Sequence, residues 1–194
     1  ITPGGAQQVA YEHFCACKDE GYDVTLLSAM EADHEARLGK PGAPIVPVPG
    51  EEGQYFLFPQ HYRFETLSVE DPRTQSFVRD FIQKIGPDII HFHHYHRVGA
   101  ETIRVARAAA PQAKIALTFH EMLGICMADG QMVRRGTRQL CSDPAPYACA
   151  QCFPGVPPDF FSLRREHLLS MFDDVDFFFF PTAFLKDRYT RWGL

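Results

Sequence analysis

Short apolar segments that alternate with helical segments constrain the fold of this chain more than any other feature. Three of them, at 88–93, 114–119 and 176–180, are nearly continuous apolar runs, and two shorter strands are predicted at 23–28 and 45–48. Unbroken apolar strands are typical of a parallel sheet that is covered on both faces. The segments between them supply the crossovers that parallel strands need. The pattern predicts an α/β fold, a Rossmann-like parallel sheet with helices on both faces.

Local signals mark where several of the helices begin and end. Residues 6–20 have apolar residues at helical spacing and stop at Gly21, a residue that suits the position just past a helix end. Asp71, which precedes a proline, predicts an N-cap, and Thr182 predicts another for the last helix. The aromatic segment 55–64 predicts no regular structure.

Charge and hydropathy exclude several classes of function. The chain has 19 Lys and Arg against 24 Asp and Glu, a net charge of −5, which argues against a general nucleic-acid binder. The most apolar run, 177–180, is far below the roughly 20 residues of a spanning helix. Residues 1–5 lack the features of a signal peptide, so the six cysteines are interpreted as thiols or metal ligands.

Polar and glycine-rich residues follow the predicted strands at one edge of the sheet, where ligands bind in open α/β folds. Gly4 and Gly5 precede the first helix, and backbone N–H groups at a helix N-terminus can hold a phosphate, although a plain turn has the same residues. The other segments at this edge are His91–His96, His120 with Glu121, and Pro181 with Thr182. We expect the four segments to lie near one another.

The histidines at this edge have several interpretations. His91 and His93 lie on the same face of their strand. They could bind a metal or form hydrogen bonds at the strand end, and we favour a role in lining a substrate site. His120 can bind a hydroxyl or a sugar-like oxygen, or act as a structural cap. Glu121 follows it, but the second histidine of a zinc-protease H-E-x-x-H motif is absent.

Four cysteines occupy a long loop, about 121–158, that contains few apolar residues. Cys126, Cys141, Cys149 and Cys152 have the spacing C-x14-C-x7-C-x2-C. Four thiolates can form a tetrahedral zinc site, and a loop of this composition could not order itself by burial. Four free thiols and two disulfides are the alternatives.

Taken together, these segments resemble the N-terminal half of a retaining GT-B glycosyltransferase of the family 4 ("group 1") type. Four stretches carry the resemblance: a glycine loop with its helix and strand, a "PDIIHxH" strand, a "TxHD" strand end and a "PSxFxK" helix start. Here these are Pro3–Thr25, Gly86–His93, Thr118–Glu121 and Asp176–Lys186. Some members carry a similar cysteine-bearing loop. Glu121 stands where these members often have Asp.

The resemblance implies transfer of a sugar from a nucleotide-sugar donor to a glycan or lipid-linked acceptor, with retention. It implies that His120 and Glu121 are catalytic, that Gly4 and Gly5 approach the donor diphosphate, and that His91 and His93 line the cleft. No cofactor is expected for catalysis, and a structural zinc is expected at the four cysteines.

The resemblance also implies an organisation and a location. Residues 1–194 would form a single acceptor-side domain with a loop insertion, and the donor-binding C-terminal domain would lie outside this chain. We therefore expect the chain alone to be inactive. The expected location is the cytoplasm, with peripheral contact at the inner face of the membrane, and no nucleic acid is expected as a partner.

Two other classes of function compete with this one. A non-catalytic cysteine–metal interaction module on a Rossmann-like scaffold is the alternative. A nicotinamide-dependent oxidoreductase is disfavoured because Gly4–Gln8 does not supply G-x-G-x-x-G.

Overall fold

The computed structural model describes residues 4–30 and 44–194. Helices and strands alternate over most of this length, as the apolar pattern predicts. In chain order they are α1 (Gly5–Asp19), β1 (Leu26–Ala29), β2 (Ile45–Pro47), β3 (Gln54–Leu57), β4 (Tyr62–Arg63), β5 (Ser68–Val69), α2 (Pro72–Ile85), β6 (Ile89–Phe92), α3 (Glu101–Ala109), β7 (Lys114–Thr118), α4 (Pro146–Cys152), α5 (Pro158–Phe172), β8 (Phe177–Phe179) and α6 (Ala183–Trp192).

Three parallel strands form the sheet that positions the site, in the order β6-β7-β8. Phe92 pairs with Leu117, and Leu117 pairs in turn with Phe178, so the three strands end at one edge. The predicted α/β class and its parallel sheet are confirmed. A second sheet has the order β1-β3-β2, with β1 parallel and β2 antiparallel to β3, and β4 pairs with β5 as a short antiparallel ribbon.

The central strand β7 is the most enclosed part of the structure. Ile115 and Leu117 are fully buried, and the core continues through Phe119 to Leu168 on α5 and Tyr189 on α6. The edge strands are less enclosed, as on β8, where alternate phenylalanines are half exposed.

The predicted helix signals are confirmed where they are local. The Asp71 carboxylate accepts hydrogen bonds from the N–H groups of Arg73 and Thr74, and the Thr182 hydroxyl accepts one from Leu185 N–H. Gly21 follows α1 with a φ of +86°, a left-handed conformation that glycine adopts without strain.

Several sequence-based expectations were wrong in detail. Segment 55–64, predicted irregular, contains most of β3 and all of β4. These short strands depend on their pairing with β1, β2 and β5, which the local sequence does not reveal. The strand predicted at 23–28 covers Leu26–Ala29 instead. The stripe predicted on the first helix buries Phe14 but leaves Val9 44% exposed. The cysteine loop contains a helix, α4.

Among the described residues, no helix has the length and the apolar content to cross a membrane.

Candidate functional site

The ends of β6 and β7 bring the predicted site residues of these two strands together. His93 and His94 follow β6 directly, and His120 and Glu121 lie just after β7. Because β6 and β7 are paired in parallel, the two segments leave the sheet side by side. The expected proximity of these segments is therefore present in the structure.

Four imidazoles form a histidine cluster at this edge: His13, His91, His93 and His120. The His91 and His93 rings stack with centroids 4.2 Å apart, and the His120 ring stacks on His93 at 5.8 Å. Nδ1 of His13 lies 3.1 Å from Nε2 of His93, and Nε2 of His91 lies 2.8 Å from the Thr118 hydroxyl. The cluster thus joins α1 to both strands.

Burial favours the neutral form of His91, His93 and His120. It lowers the pKa of His91 and of His93 to about 4, helped by the charges of neighbouring histidines. Burial also lowers the pKa of His120. At pH 7 these rings can therefore both accept and donate a hydrogen bond.

Two nitrogens of the cluster are buried and have no hydrogen-bond partner among the described residues. They are Nδ1 of His93 and Nε2 of His120. An unsatisfied buried nitrogen costs stability unless another group pairs with it, so such atoms are candidates for contact with a ligand. The two rings stack with centroids 5.8 Å apart, so both nitrogens lie in the same part of the sheet edge.

The same cluster offers a candidate metal centre. One ligand nitrogen from each of His13, His91 and His93 lies within 4.8 Å of the other two. Three imidazoles can hold a divalent transition metal with one position open. His13 was not identified from the sequence, because it lies on α1, 80 residues from His93.

Glu121 lies next to this cluster and faces His94. Oε1 of Glu121 is 3.5 Å from Nε2 of His94, and Nδ1 of His94 accepts a hydrogen bond from the backbone N–H of His96. That acceptor role leaves the proton on Nε2, directed at the carboxyl group. Burial lowers the pKa of His94 to about 4 and raises the pKa of Glu121 to about 7. The contact is therefore not a permanent ion pair.

Gly130, which sequence reasoning also missed, packs closely against the carboxyl group of Glu121. A Cβ added at Gly130 would lie 2.5 Å from Oε2 of Glu121 and 2.9 Å from the backbone N of Leu123. The residue is buried and has a φ of +69°. Only glycine permits this close approach without displacement of the backbone. The sequence carried no signal for this role.

Arg164, on α5, anchors the loop that follows Glu121. Its guanidinium donates to the carbonyl oxygens of Leu123, Gly124 and Glu65, and the residue is 5% exposed. A buried arginine is rare unless its charge is paired or hydrogen-bonded, and here its three hydrogen bonds hold two loops against one helix. No sequence pattern identified it.

The predicted diphosphate residues, Gly4 and Gly5, lie at the start of α1. Gly4 is the N-cap and Gly5 the first helical residue, both are exposed, and no side chain caps this end. Their predicted role stays a prediction. With a rise of about 1.5 Å per residue, they are roughly 13 Å along the helix from His13. The structure therefore does not bring them into the histidine cluster.

The four loop cysteines gather at a second place. Cys126, Cys141, Cys149 and Cys152 line a cavity of about 290 Å³, and none forms a disulfide. Burial and the neighbouring cysteines raise the pKa of the Cys141 and Cys149 thiols.

Comparisons with known proteins identify the family. Neither the curated proteins nor the solved structures yielded a match. A family profile described as Glycosyltransferase Family 4 matches residues 3–194. This match spans the sheet, the histidine cluster and the cysteine loop, so the chain belongs to Glycosyltransferase Family 4 and forms a glycosyltransferase domain.

Proposed function

We propose that this domain serves a retaining GT-B enzyme that transfers a sugar from a nucleotide diphosphate sugar to a glycan or lipid-linked acceptor. The observation that carries the proposal is the pair of buried, unpartnered nitrogens, His120 Nε2 and His93 Nδ1, on neutral rings at the edge of the parallel sheet. Sugar hydroxyls can donate to or accept from such nitrogens.

In this proposal His120 contacts the transferred sugar. A neutral imidazole whose Nε2 lacks a protein partner can hydrogen-bond a sugar hydroxyl in the orientation that the transition state requires. His91 and His93 line the adjacent wall, with His91 held by the Thr118 hydroxyl. The site has no assigned protein nucleophile, in keeping with a front-face displacement.

Glu121 and the start of α1 have the electrostatic roles. Glu121 has its pKa raised to about 7 by burial, so near neutral pH it can hold or release a proton beside the reacting sugar. Gly4 and Gly5 present uncapped backbone N–H groups, which would stabilise the departing diphosphate without a metal.

We further propose that the nucleotide is held by a second domain outside residues 1–194, and that these residues alone have no useful transferase activity. The supporting argument is the resemblance to the acceptor-side half of a GT-B enzyme. We propose a cytoplasmic location, with contact at the inner face of the membrane when the acceptor is lipid-linked.

The test is donor hydrolysis and sugar transfer by the full-length protein across a panel of nucleotide sugars, with His120→Ala as the variant. We expect release of one nucleotide by the wild type and at least about a 100-fold loss in His120→Ala. The matched control is His167→Ala, which removes a partly buried imidazole on α5. It should retain turnover.

A second candidate function is a non-catalytic cysteine–metal interaction module. It is favoured by the four cysteines around one cavity. The same experiment separates the two: no turnover with any donor, from a folded full-length protein, would contradict the transferase proposal and support the module.

A further inference from the structure

The cavity lined by Cys126, Cys141, Cys149 and Cys152, here called the cysteine cavity, has no role in the proposed transfer reaction. Its four cysteines come from three separate parts of the loop. Cys126 lies on the turn after β7, Cys141 follows the isolated bridge between Val133 and Leu140, and Cys149 and Cys152 lie on α4.

Backbone hydrogen bonds hold each of these segments in place. The N–H of Cys126 donates to Met122 C=O, and that of Cys141 donates to Met132 C=O, both at 2.8 Å. On α4, residues three apart share one face, so Cys149 and Cys152 both reach the cavity. Three independent local structures thus present their thiols to one space.

Burial of apolar side chains accounts only for the first part of this loop: Leu123, Ile125, Met127 and Met132 are buried, whereas no residue of 133–157 is. Between β7 and α5 the regular structure consists of one isolated bridge and the seven-residue α4. Two of its larger apolar side chains point outward, Leu140 at 85% exposed and Tyr147 at 78%. Residues 133–157, which bury no side chain in the core, therefore need another source of stability.

The charges around the cavity suit a thiolate cluster. Four arginines line it, Arg134, Arg164, Arg165 and Arg191, against one carboxylate from Asp143. A zinc ion with four thiolates has a net charge of −2, which nearby guanidinium groups offset.

We propose that Cys126, Cys141, Cys149 and Cys152 bind one structural zinc ion that fastens the loop between β7 and α5. Four cysteine ligands make a closed, tetrahedral site with no open position, which is a structural and not a catalytic zinc site. This goes beyond the proposed transfer reaction and holds whether or not that reaction is correct.

Binding requires the cluster to contract. Neighbouring sulfurs of a tetrahedral zinc–thiolate site are about 3.8 Å apart. Over residues 4–30 and 44–194, the only group of three or more candidate ligand atoms within 4.8 Å of one another is the one at His13, His91 and His93. The four sulfurs are thus spread more widely, and zinc binding should tighten the loop measurably.

The test begins with the metal content of the full-length protein, purified under reducing conditions without added metal. We expect one zinc per chain. Cys149→Ser and Cys152→Ser should each lower zinc affinity at least about 100-fold, since loss of a ligand exceeds the 10- to 100-fold typical of outer-shell changes. Cys15→Ser and Cys17→Ser on α1 are the matched controls and should keep full zinc. Cobalt substitution should give thiolate-to-metal charge-transfer bands, which a site at the three histidines would not.

A measurement on the unmodified sequence keeps the proposal testable even if the serine variants fail to fold. Removal of the metal with a chelator should speed tryptic cleavage after Arg134, Arg135 and Arg138 by at least about tenfold, and added zinc should reverse this. Zinc content near zero, full zinc retained in both serine variants, or mass spectra showing disulfides among these four cysteines in the reduced preparation would each overturn the proposal. Loss of zinc binding with transfer intact would leave the proposed function standing.

Discussion

Nε2 of His94 lies 3.5 Å from Oε1 of Glu121, and the two residues follow neighbouring parallel strands. Burial shifts their pKa values in opposite directions: it lowers the pKa of His94 to about 4 and raises that of Glu121 to about 7. Both shifts favour the neutral form of the side chain. The pair therefore links folding to pH with two opposing signs.

The first prediction concerns this linkage between pH 4.5 and pH 6.5, the ordinary pKa values of Glu and His. His94 contributes stability that is complete above pH 6.5 and is lost as the pH falls through about 4. Glu121 contributes stability that is complete below pH 4.5 and is lost as the pH rises through about 7. In this window unfolding thus binds a proton at His94 and releases one at Glu121.

In this window, the slope of the free energy of unfolding against pH should therefore be more positive in Glu121→Gln than in the wild type. The increase corresponds to at most one additional proton bound on unfolding. In His94→Gln the same slope should be less positive, by the equivalent of at most one proton. The measurement is denaturant unfolding at several pH values. Glu166→Gln, at an exposed position on α5, is the control and should leave the slope unchanged. Equal slopes in all four proteins would contradict the burial of the pair.

A second prediction follows from the contact of Gly130 with Glu121. Gly130→Ala should destabilise the domain by about 2–4 kcal/mol, because it adds a backbone clash to the cost of a left-handed conformation. Two other glycines separate these causes. Gly155 has a φ of +94°, but a Cβ added there would meet no atom within 4 Å. Gly155→Ala should therefore lower the free energy of unfolding by about 1–2 kcal/mol.

Gly136→Ala has open space and no positive φ, and it should change stability by less than about 0.5 kcal/mol. Thermal or denaturant unfolding gives the three values. If Gly130→Ala loses no more stability than Gly155→Ala, the close contact between Gly130 and Glu121 is contradicted.

Arg164 provides a third prediction. Arg164→Met should cost about 3 kcal/mol or more, since the carbonyls of Leu123 and Gly124 lose a charged donor in a buried setting. Arg164→Lys keeps the charge but cannot reach three carbonyls, so it should recover only part of the loss. Arg79→Met, at an exposed position on α2, should cost less than about 0.5 kcal/mol. Comparable losses of stability in Arg164→Met and Arg79→Met would contradict the role of Arg164 in holding the two loops.

The cap of α6 gives a fourth prediction. Thr182→Ala removes the acceptor for Leu185 N–H and should cost about 1 kcal/mol, whereas Thr182→Ser should cost only a few tenths. Equilibrium unfolding in denaturant measures both. Equal stability of the alanine and serine variants would show that the side-chain hydrogen bond is not formed in solution.

The sequence predicts those structural features that are determined by residues close to one another in the chain. The strands at β6 and β7 follow from uninterrupted apolar runs, and the caps at Asp71 and Thr182 follow from residues that act within one turn. Strand β3 was missed because its pairing with β1 and β2 is a tertiary event that the local sequence does not reveal.

The candidate site shows the same division. His93, His94, His120 and Glu121 could be brought together from the sequence because strand ends of a parallel sheet meet at one edge. His13 could not, because its contact with His93 depends on where α1 docks. Nor could Arg164, because arginine is expected at the surface and its partners are backbone carbonyls without a sequence signature.

The way in which Arg164 binds has an evolutionary consequence. Within residues 4–30 and 44–194, each hydrogen bond that it makes ends on a main-chain oxygen, at Glu65, Leu123 or Gly124. Main-chain oxygens persist when side chains are replaced, so this joint does not depend on which amino acids occupy the two loops it holds. Replacement of side chains in either loop therefore leaves the joint intact, and a single arginine keeps both loops attached to the same scaffold.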